Sequence, residues 1–485
     1  MKTSLRADSL RKIAPSLKLA HGQFQGRYPG ASGDRQPVHT YYMGAHEFQN
    51  DAARQLGGAG LASMDEYAPD FIAFAKAIGL RGSENLPKSE FQARALLKKI
   101  DRAAASDPEG VRRFHPSAWF AHTVYHRVRE KIQREPIEDL RIDFEDGYGL
   151  RSDAEEDRDA EARAKDVASA ILAGTLPPFT GIRIRPFTEE LRERSVRTLD
   201  IFVSTLAEVA GAKFPNPFFV TLAKITVPEE VVALASICED LEKSLGLAQN
   251  ALRIELMIET TQAVINERGS ANLLPLVEAA QGRCGGAHFG TYDYTAGRGI
   301  TAAWQHMLHP ACDFAREVMQ VSLAGTGVWL SDGGTNILPI PPHGPARPGV
   351  DLTARQESEN REAVHGAWKL HFDHIRHSLI NGFYQGWDLH PAQLPTRYAA
   401  VFSFFLESMD AASSRLRAFL DRTALSPGGE AVADDAATGQ GLLNYVLRAV
   451  HCGAVTREEA RKLTSLTPEE LRTASFTKIL AGRRN

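Results

Sequence analysis

Along the chain, short apolar or alternating runs are separated by longer stretches in which apolar residues return every three or four positions. The short runs read as β-strands and the longer stretches as helices. Eight runs stand out: PVHTYYMG from Pro37, LRIDFEDGYG from Leu140, FTGIRIRPF from Phe179, FFVTLAKIT from Phe218, LRIELMIE from Leu252, GAHFGTYDY from Gly286, GVWLSDGG with ILPI from Gly327, and GWDLHPAQ from Gly386. Helix-like segments lie between them, among them Asp153 to Ala173 and Leu273 to Gln281. Strand, helix, strand is the unit that sets neighbouring strands parallel. Eight such alternations predict an α/β fold, a (β/α)8 TIM barrel rather than a doubly wound sheet.

Two regions depart from the alternation. After the first strand the pattern stays helical over about residues 50–135, through DEYAPDFIAFAKAIGL, SEFQARALLKKIDRAAA and WFAHTVYHRVREKIQR. This insertion is long for a strand-to-strand crossover and suits a cap or a subunit contact. After Pro395 the strand signals stop. YAAVFSFFLESMDAASSRLRAFLDRTAL, GLLNYVLRAVHCG, TREEARKLTS and LTPEELRTASFTKILAGRR read as helices, and SPGGEAVADDAATGQ as a loop. Thr467 followed by Pro468 is a helix start, with Thr as N-cap and Pro at N1. The expected organisation is an N-terminal arm over 1–36 that ends in the turn-rich GRYPGASGDRQ, a barrel with its insertion over 37–400, and an all-helical C-terminal domain over 401–485.

Composition narrows the classes. The 485 residues are 43% hydrophobic and 24% charged, ordinary for a soluble globular protein. A net charge of −4 offers no basic field for nucleic acid. No apolar run approaches the ~20 residues of a membrane span. The start, MKTSLRADSLRKIAPSLKL, lacks the apolar core of a secretory signal, although its basic amphipathic character leaves a weak organelle-targeting reading. A cytoplasmic location is expected. Cys238, Cys284, Cys312 and Cys452 are scattered without a CxxC pair, as reduced thiols are, and indicate no zinc site.

The candidate chemistry gathers at the expected strand ends, which a barrel brings around one mouth. Glu145 and Asp146 end the second strand, Arg185 the third, Lys224 the fourth, Glu259 the fifth and Asp293 the sixth. Glu259 and Asp293 end adjacent strands, and two close carboxylates repel unless a cation lies between them. All-oxygen ligation with open positions suits Mg²⁺. The plainer reading is that both acids cap the helices that follow. A metal there could polarise a carbonyl or chelate a 2-oxo acid, with Arg185 stabilising an enolate or carboxylate oxygen. Alternatively, Arg185 and Glu145 form a structural bridge across the mouth. Lys224 divides between a site role, including a Schiff base, and a structural one. Gly290 and Gly297 let backbone approach a ligand. Glu145, Asp146, Lys224 and Gly290 are thus candidate substrate contacts beside Arg185. His390, at a strand end, has an orienting or structural role, His288 reads as a satisfied barrel-wall residue, and His309 before Pro310 marks a turn. No histidine metal site is expected.

RIDFEDGYG, IRIRPF, VTLAKIT, ELMIET, HFGTYDY and GWDLHPAQLP fall in the same order as motifs of the malate synthase and citrate lyase β-subunit superfamily, which includes the HpcH/HpaI-type aldolases. The chain resembles that superfamily from roughly Val38 to Thr396. The resemblance implies a (β/α)8 barrel, Mg²⁺ on Glu259 and Asp293, and Arg185 facing the substrate oxygens. Asp434 to Thr438, DDAAT, is similar to the E-D-A-A-T motif of malate synthases, which implies Asp435 as the base that takes a methyl proton from acetyl-CoA bound between barrel and C-terminal domain. The alternative is a loop Asp capping the next helix. The chain departs from these families in a longer Glu259 to Asp293 interval, in Ala433-Asp434 where malate synthases carry Met-Glu, and in the insertion after the first strand. The expectation is a Mg²⁺-dependent enzyme that makes or breaks a C–C bond beside a small 2-oxo acid through an enolate. It would act by malate-synthase-like condensation with an acyl-CoA or by retro-aldol or citryl-CoA-type cleavage. Phosphoenolpyruvate-dependent phosphoryl transfer is a second class, although no P-loop is present. A non-catalytic barrel with an assembly or regulatory role is a third. Homo-oligomerisation through the insertion is compatible with all three.

Overall fold

The structure is a computed structural model that describes residues 7–30, 33–344, 351–425 and 432–484. The strand Leu252–Ile258 shows why its segments fold as they do. Ile254, Leu256 and Ile258 are buried, and so are Glu255 and Met257 between them. A strand covered on both faces needs no polar side. One face meets the helices and the other meets the barrel interior.

Eight parallel strands close in chain order: β1 (His39–Gly44), β2 (Asp139–Asp143), β3 (Phe179–Ile184), β4 (Phe218–Leu222), β5 (Leu252–Ile258), β6 (Cys284–Phe289), β7 (Trp329–Gly334) and β8 (Gln385–Asp388). β8 returns to β1, with His39 opposite Gly386. All eight expected strands form, and the fold is a (β/α)8 barrel. The strands are shorter than the runs that announced them. Glu145, Asp146, Lys224, Glu259 and Asp293 lie just past the strand ends, in the loops or, for Asp293, in the helix Thr291–Gly297.

The barrel interior carries charge as well as apolar side chains. Arg141 on β2 is fully buried and stacks on Phe219, its guanidinium carbon 4.7 Å from the ring centroid. Its Nη1 bonds Asp139, its Nε donates to Thr221 Oγ1 at 3.1 Å and its Nη2 to Glu255 Oε2 at 3.2 Å. Glu255 Oε1 also accepts from Thr221 and Tyr42, at 2.7 and 3.1 Å. The cation and its two acids are therefore hydrogen-bonded throughout, as a buried ionic group must be.

The insertion between β1 and β2 forms the helices Ala52–Tyr67, Phe71–Ile78, Glu90–Ser106, Pro108–Phe114 and Pro116–Arg134. Phe74 packs edge-on against Trp368 and Tyr125, with centroids 5.8 and 5.9 Å apart. Beyond β8 one helix, Leu394–Leu425, carries the chain across residue 400, and Val432–His451, Arg457–Thr464, Pro468–Thr473 and Phe476–Arg484 follow. Arg127 of the insertion bonds the Ala454 carbonyl and Glu459, so the insertion leans on these C-terminal helices. Thr467 accepts from Glu470 N at 3.1 Å, the cap its sequence announces. The arm holds a largely exposed helix, Ala7–Arg27. One local expectation is corrected. The expected loop SPGGEAVADDAATGQ is helical from Val432, where Ala433, Ala436 and Ala437 favour helix. All four cysteines are buried and free. Among the described residues no helix is long and apolar enough to cross a membrane.

Candidate active site at the barrel mouth

The loops after β2, β4 and β5 and the helix after β6 bring Glu145, Asp146, Lys224, Glu259 and Asp293 to one place. Lys224 is the hub. It adopts φ 50°, a left-handed conformation that costs a non-glycine residue roughly 1–2 kcal/mol. That turn aims its backbone N–H at Glu259 Oε1, 2.7 Å away. Its ammonium bonds Glu145, lies 3.0 and 3.2 Å from the two oxygens of Asp146, and is 3.8 Å from Asp293 Oδ2. Burial alone would pull the Lys224 amine down. The bonds to Glu145 and Asp146 outweigh it and hold the group above its ordinary range. A Schiff-base role would need the free amine instead.

Arg183, from β3, completes the ring. Its Nε donates to Asp143 Oδ1 at 2.7 Å, and its Nη2 bonds the other Asp143 oxygen. Asp143 also accepts from the backbone of Glu145 and Gly147, at 2.9 and 2.7 Å, which fixes the loop that carries Glu145 and Asp146. The guanidinium lies over Tyr42 and Trp387, 4.8 and 5.4 Å from their centroids. Its Nη1 is buried and has no hydrogen-bond partner among the described residues. Glu145 Oε2 and Asp146 Oδ2 stand 3.5 and 3.9 Å away from it. A buried N–H of a permanent cation without an acceptor is costly, and this one faces the acids of the mouth.

Asp143, Glu145, Asp146, Glu259 and Asp293 thus face two cations, Arg183 and Lys224. Burial and these charges shift the acids in different directions. Burial, with the Asp293 charge added, pushes the Glu259 carboxyl up to about 8 against the pull of Arg183 and Lys224. Burial also raises Glu145 despite Arg183. Asp146 is lowered, because its bond with Glu145 and the charges of Arg183 and Lys224 outweigh its burial. The oxygen-only donor set fits a hard dication such as Mg²⁺. The Lys224 ammonium offsets part of their charge.

The remaining expected site residues are placed as follows. Arg185 does not face the mouth with Arg183. β3 ends at Ile184, and Arg185 turns to the helix Asp153–Ala173, where its Nε and Nη2 donate to Glu156 Oε2 at 3.1 and 2.9 Å and Nη2 also to the Gly149 carbonyl at 3.0 Å. Its partner is Glu156 rather than Glu145, so the expected bridge to Glu145 is corrected. Gly290 makes room for Glu259: a Cβ there would lie 2.4 Å from Glu259 Cβ and 2.7 Å from its Oε2. Asp435 falls on the helix Val432–His451, and its side chain lies outside the described residues. His390 and His309 accept backbone N–H groups at helix starts, from Ala392 and Ala311. His288 contacts Tyr42 and Ser331 inside the barrel, at 3.3 and 3.4 Å. Sequence reading missed Asp143 and Arg183 as site residues. The signal was there: Arg141 and Asp143 alternate on β2, and Asp143 stands opposite Arg183 in the register.

Fold and site together define a (β/α)8 barrel whose mouth is ringed by carboxylates and carries a buried arginine N–H without a hydrogen-bond acceptor among the described residues. The chain belongs to the family described as Domain of unknown function (DUF6986), whose sequence profile matches residues 17–479. No curated protein matches it by sequence. Among solved structures it is similar to a citrate lyase from Burkholderia xenovorans LB400, with 18% identity over 70% of this chain and 91% of that one and a TM-score of 0.42. It is also similar to Haloferax volcanii malate synthase. The lead(II) complex has 13% identity over 71% of this chain and 89% of that one, with a TM-score of 0.38. The pyruvate/acetyl-CoA ternary complex has 14% identity over 70% and 89%, with a TM-score of 0.39.

Proposed function

We propose that the barrel mouth is a Mg²⁺-dependent site that makes or breaks a C–C bond beside the carbonyl of a small 2-oxo acid. The observation that supports this reading is the Arg183 Nη1, which has no hydrogen-bond acceptor among the described residues and faces more acids than Arg183 and Lys224 can neutralise. Glu259 and Asp293 would hold the metal, with Glu145 and Asp146 near enough to take part through water. Bound there, Mg²⁺ supplies Lewis-acid polarisation of the substrate carbonyl. Arg183 donates Nη1–H to a carboxylate or enolate oxygen and stabilises the charge that develops on it. Tyr42 and Trp387, under the guanidinium, keep it from swinging away. Lys224 holds Glu145 and Asp146 in place.

In the acyl-CoA version, Asp435 takes a proton from the acyl methyl group as general base and the resulting enolate attacks the oxo acid. Retro-aldol or citryl-CoA-type cleavage is the same chemistry in reverse. The acyl-CoA version rests on the DDAAT likeness, and the Mg²⁺ and oxo-acid reading on the mouth.

Calorimetric titration of glyoxylate, pyruvate and oxaloacetate, with and without Mg²⁺, tests it on wild type, Asp293→Asn and Arg183→Gln. One oxo acid is expected to bind only with Mg²⁺, to lose binding in Asp293→Asn, and to bind about 10- to 100-fold more weakly in Arg183→Gln, the loss of one charged hydrogen bond. Wild type that binds none of the three in Mg²⁺ would defeat the reading.

A further inference from the structure

Outside the mouth residues, the insertion carries a second set of metal-type donors. His122 and His126 lie four residues apart on the helix Pro116–Arg134, so both rings leave the same face. Their centroids are 4.1 Å apart. Asp101, on the neighbouring helix Glu90–Ser106, brings Oδ1 to 3.5 Å from His122 Nε2. One donor atom from each of the three lies within 4.8 Å of the others. Zinc bonds of about 2.0–2.1 Å put tetrahedral donors about 3.3 Å apart, so the His122–Asp101 edge is nearly of that length already.

The rings are also held. Phe71 packs edge-on against His122, and Tyr125 against His126, with centroids 5.5 and 5.3 Å apart. Neutral imidazoles offer lone pairs, which is the form a metal takes. The helix that supplies Asp101 has one buried side chain among its described residues, Ile100, so apolar packing anchors it weakly.

We propose that Asp101, His122 and His126 form a site for a borderline-soft dication of the zinc class, which ties the helix Glu90–Ser106 to the helix Pro116–Arg134. Two imidazoles and one carboxylate select such a metal over Mg²⁺, in contrast with the oxygen-only mouth. Three protein ligands leave a fourth tetrahedral position for water or for a donor from another molecule.

Zn²⁺ is titrated calorimetrically into the full chain in excess Mg²⁺, as wild type, His126→Ala, Asp101→Asn and Glu259→Gln. His126 and Asp101 are exposed, and metal-free thermal midpoints check that their variants fold. Wild type and Glu259→Gln are expected to bind one Zn²⁺ that Mg²⁺ does not displace, with a raised thermal midpoint. His126→Ala and Asp101→Asn are expected to bind it at least about tenfold more weakly, as loss of a ligand should at minimum match loss of a supporting partner. The inference is overturned if wild type shows no such site, if Zn²⁺ binding survives both insertion variants, or if it is lost only in Glu259→Gln.

Discussion

Arg141 and Arg183 stand in the same barrel two register positions apart, opposite Gly181 and Asp143 respectively, and their surroundings differ in one respect. Every nitrogen of Arg141 is engaged, by Asp139, Thr221 and Glu255. Arg183 spends two nitrogens on Asp143 and leaves the third without an acceptor. Both are buried, and both lie against aromatic rings. Burial, charge and residue type therefore do not separate the two; the count of satisfied donors does. An open N–H does not by itself mark a site, since the Nε of buried Arg316 also lacks an acceptor; that of Arg183 lies among the acids of the mouth.

The largest test of that contrast is Arg141→Leu. It strands Asp139 and Glu255 without their cation and should lower stability by about 3–5 kcal/mol in urea unfolding. A loss below about 1 kcal/mol would show that the Arg141 group does not hold the barrel together.

The next effect is a pH dependence carried by His288, beside Tyr42 and Ser331. Burial, helped by Arg141 and Arg183 against Glu255 and Asp332, lowers its pKa from the ordinary 6.5 to about 4. The folded protein therefore binds fewer protons than the unfolded chain between these values. The stability due to the neutral ring is whole above pH 6.5 and falls as pH drops through the window to 4, by up to about 3 kcal/mol. Urea midpoints from pH 7 to pH 4 should show a slope that His288→Asn makes shallower. An unchanged slope would remove His288 as its source.

The smallest effect belongs to the mouth. Lys224→Gln takes a half-buried ammonium from acids already in excess, which should cost about 1 kcal/mol without metal. Millimolar Mg²⁺ should return most of it. Equal losses with and without Mg²⁺ would mean that the lysine and the metal do not share these carboxylates.

The fold was readable because its signals are local. A buried parallel strand shows as a short apolar run, and each acid of the mouth follows such a run directly. The helix Asp153–Ala173 was legible from composition, with acids in its first turn and alanine later. The arginines were not legible in the same way. Period two puts Arg183 and Arg185 on one side, but β3 stops between them, and the choice of Glu156 for Arg185 depends on how a separate helix docks. Asp435 was misread locally, since the Pro-Gly-Gly before it and the neighbouring acids suggested a loop while alanines favoured helix. The His122 and His126 spacing was visible in HTVYH, but Asp101 reaches it from another helix, and no sequence period reports that.

Closure of the barrel has a consequence for how the protein is made. Gln385 of β8 bonds Thr40 of β1 across 345 residues of sequence. A chain leaving the ribosome cannot seal its first strand until the eighth has emerged. Until then β1 keeps an unpaired edge, the kind that templates unwanted strand pairing. The insertion, synthesised soon after β1, is available through most of that interval. Its helices contact one another locally and can fold early. They would then stand beside the waiting strand during translation, an assignment that pulse proteolysis of stalled nascent chains can follow residue by residue.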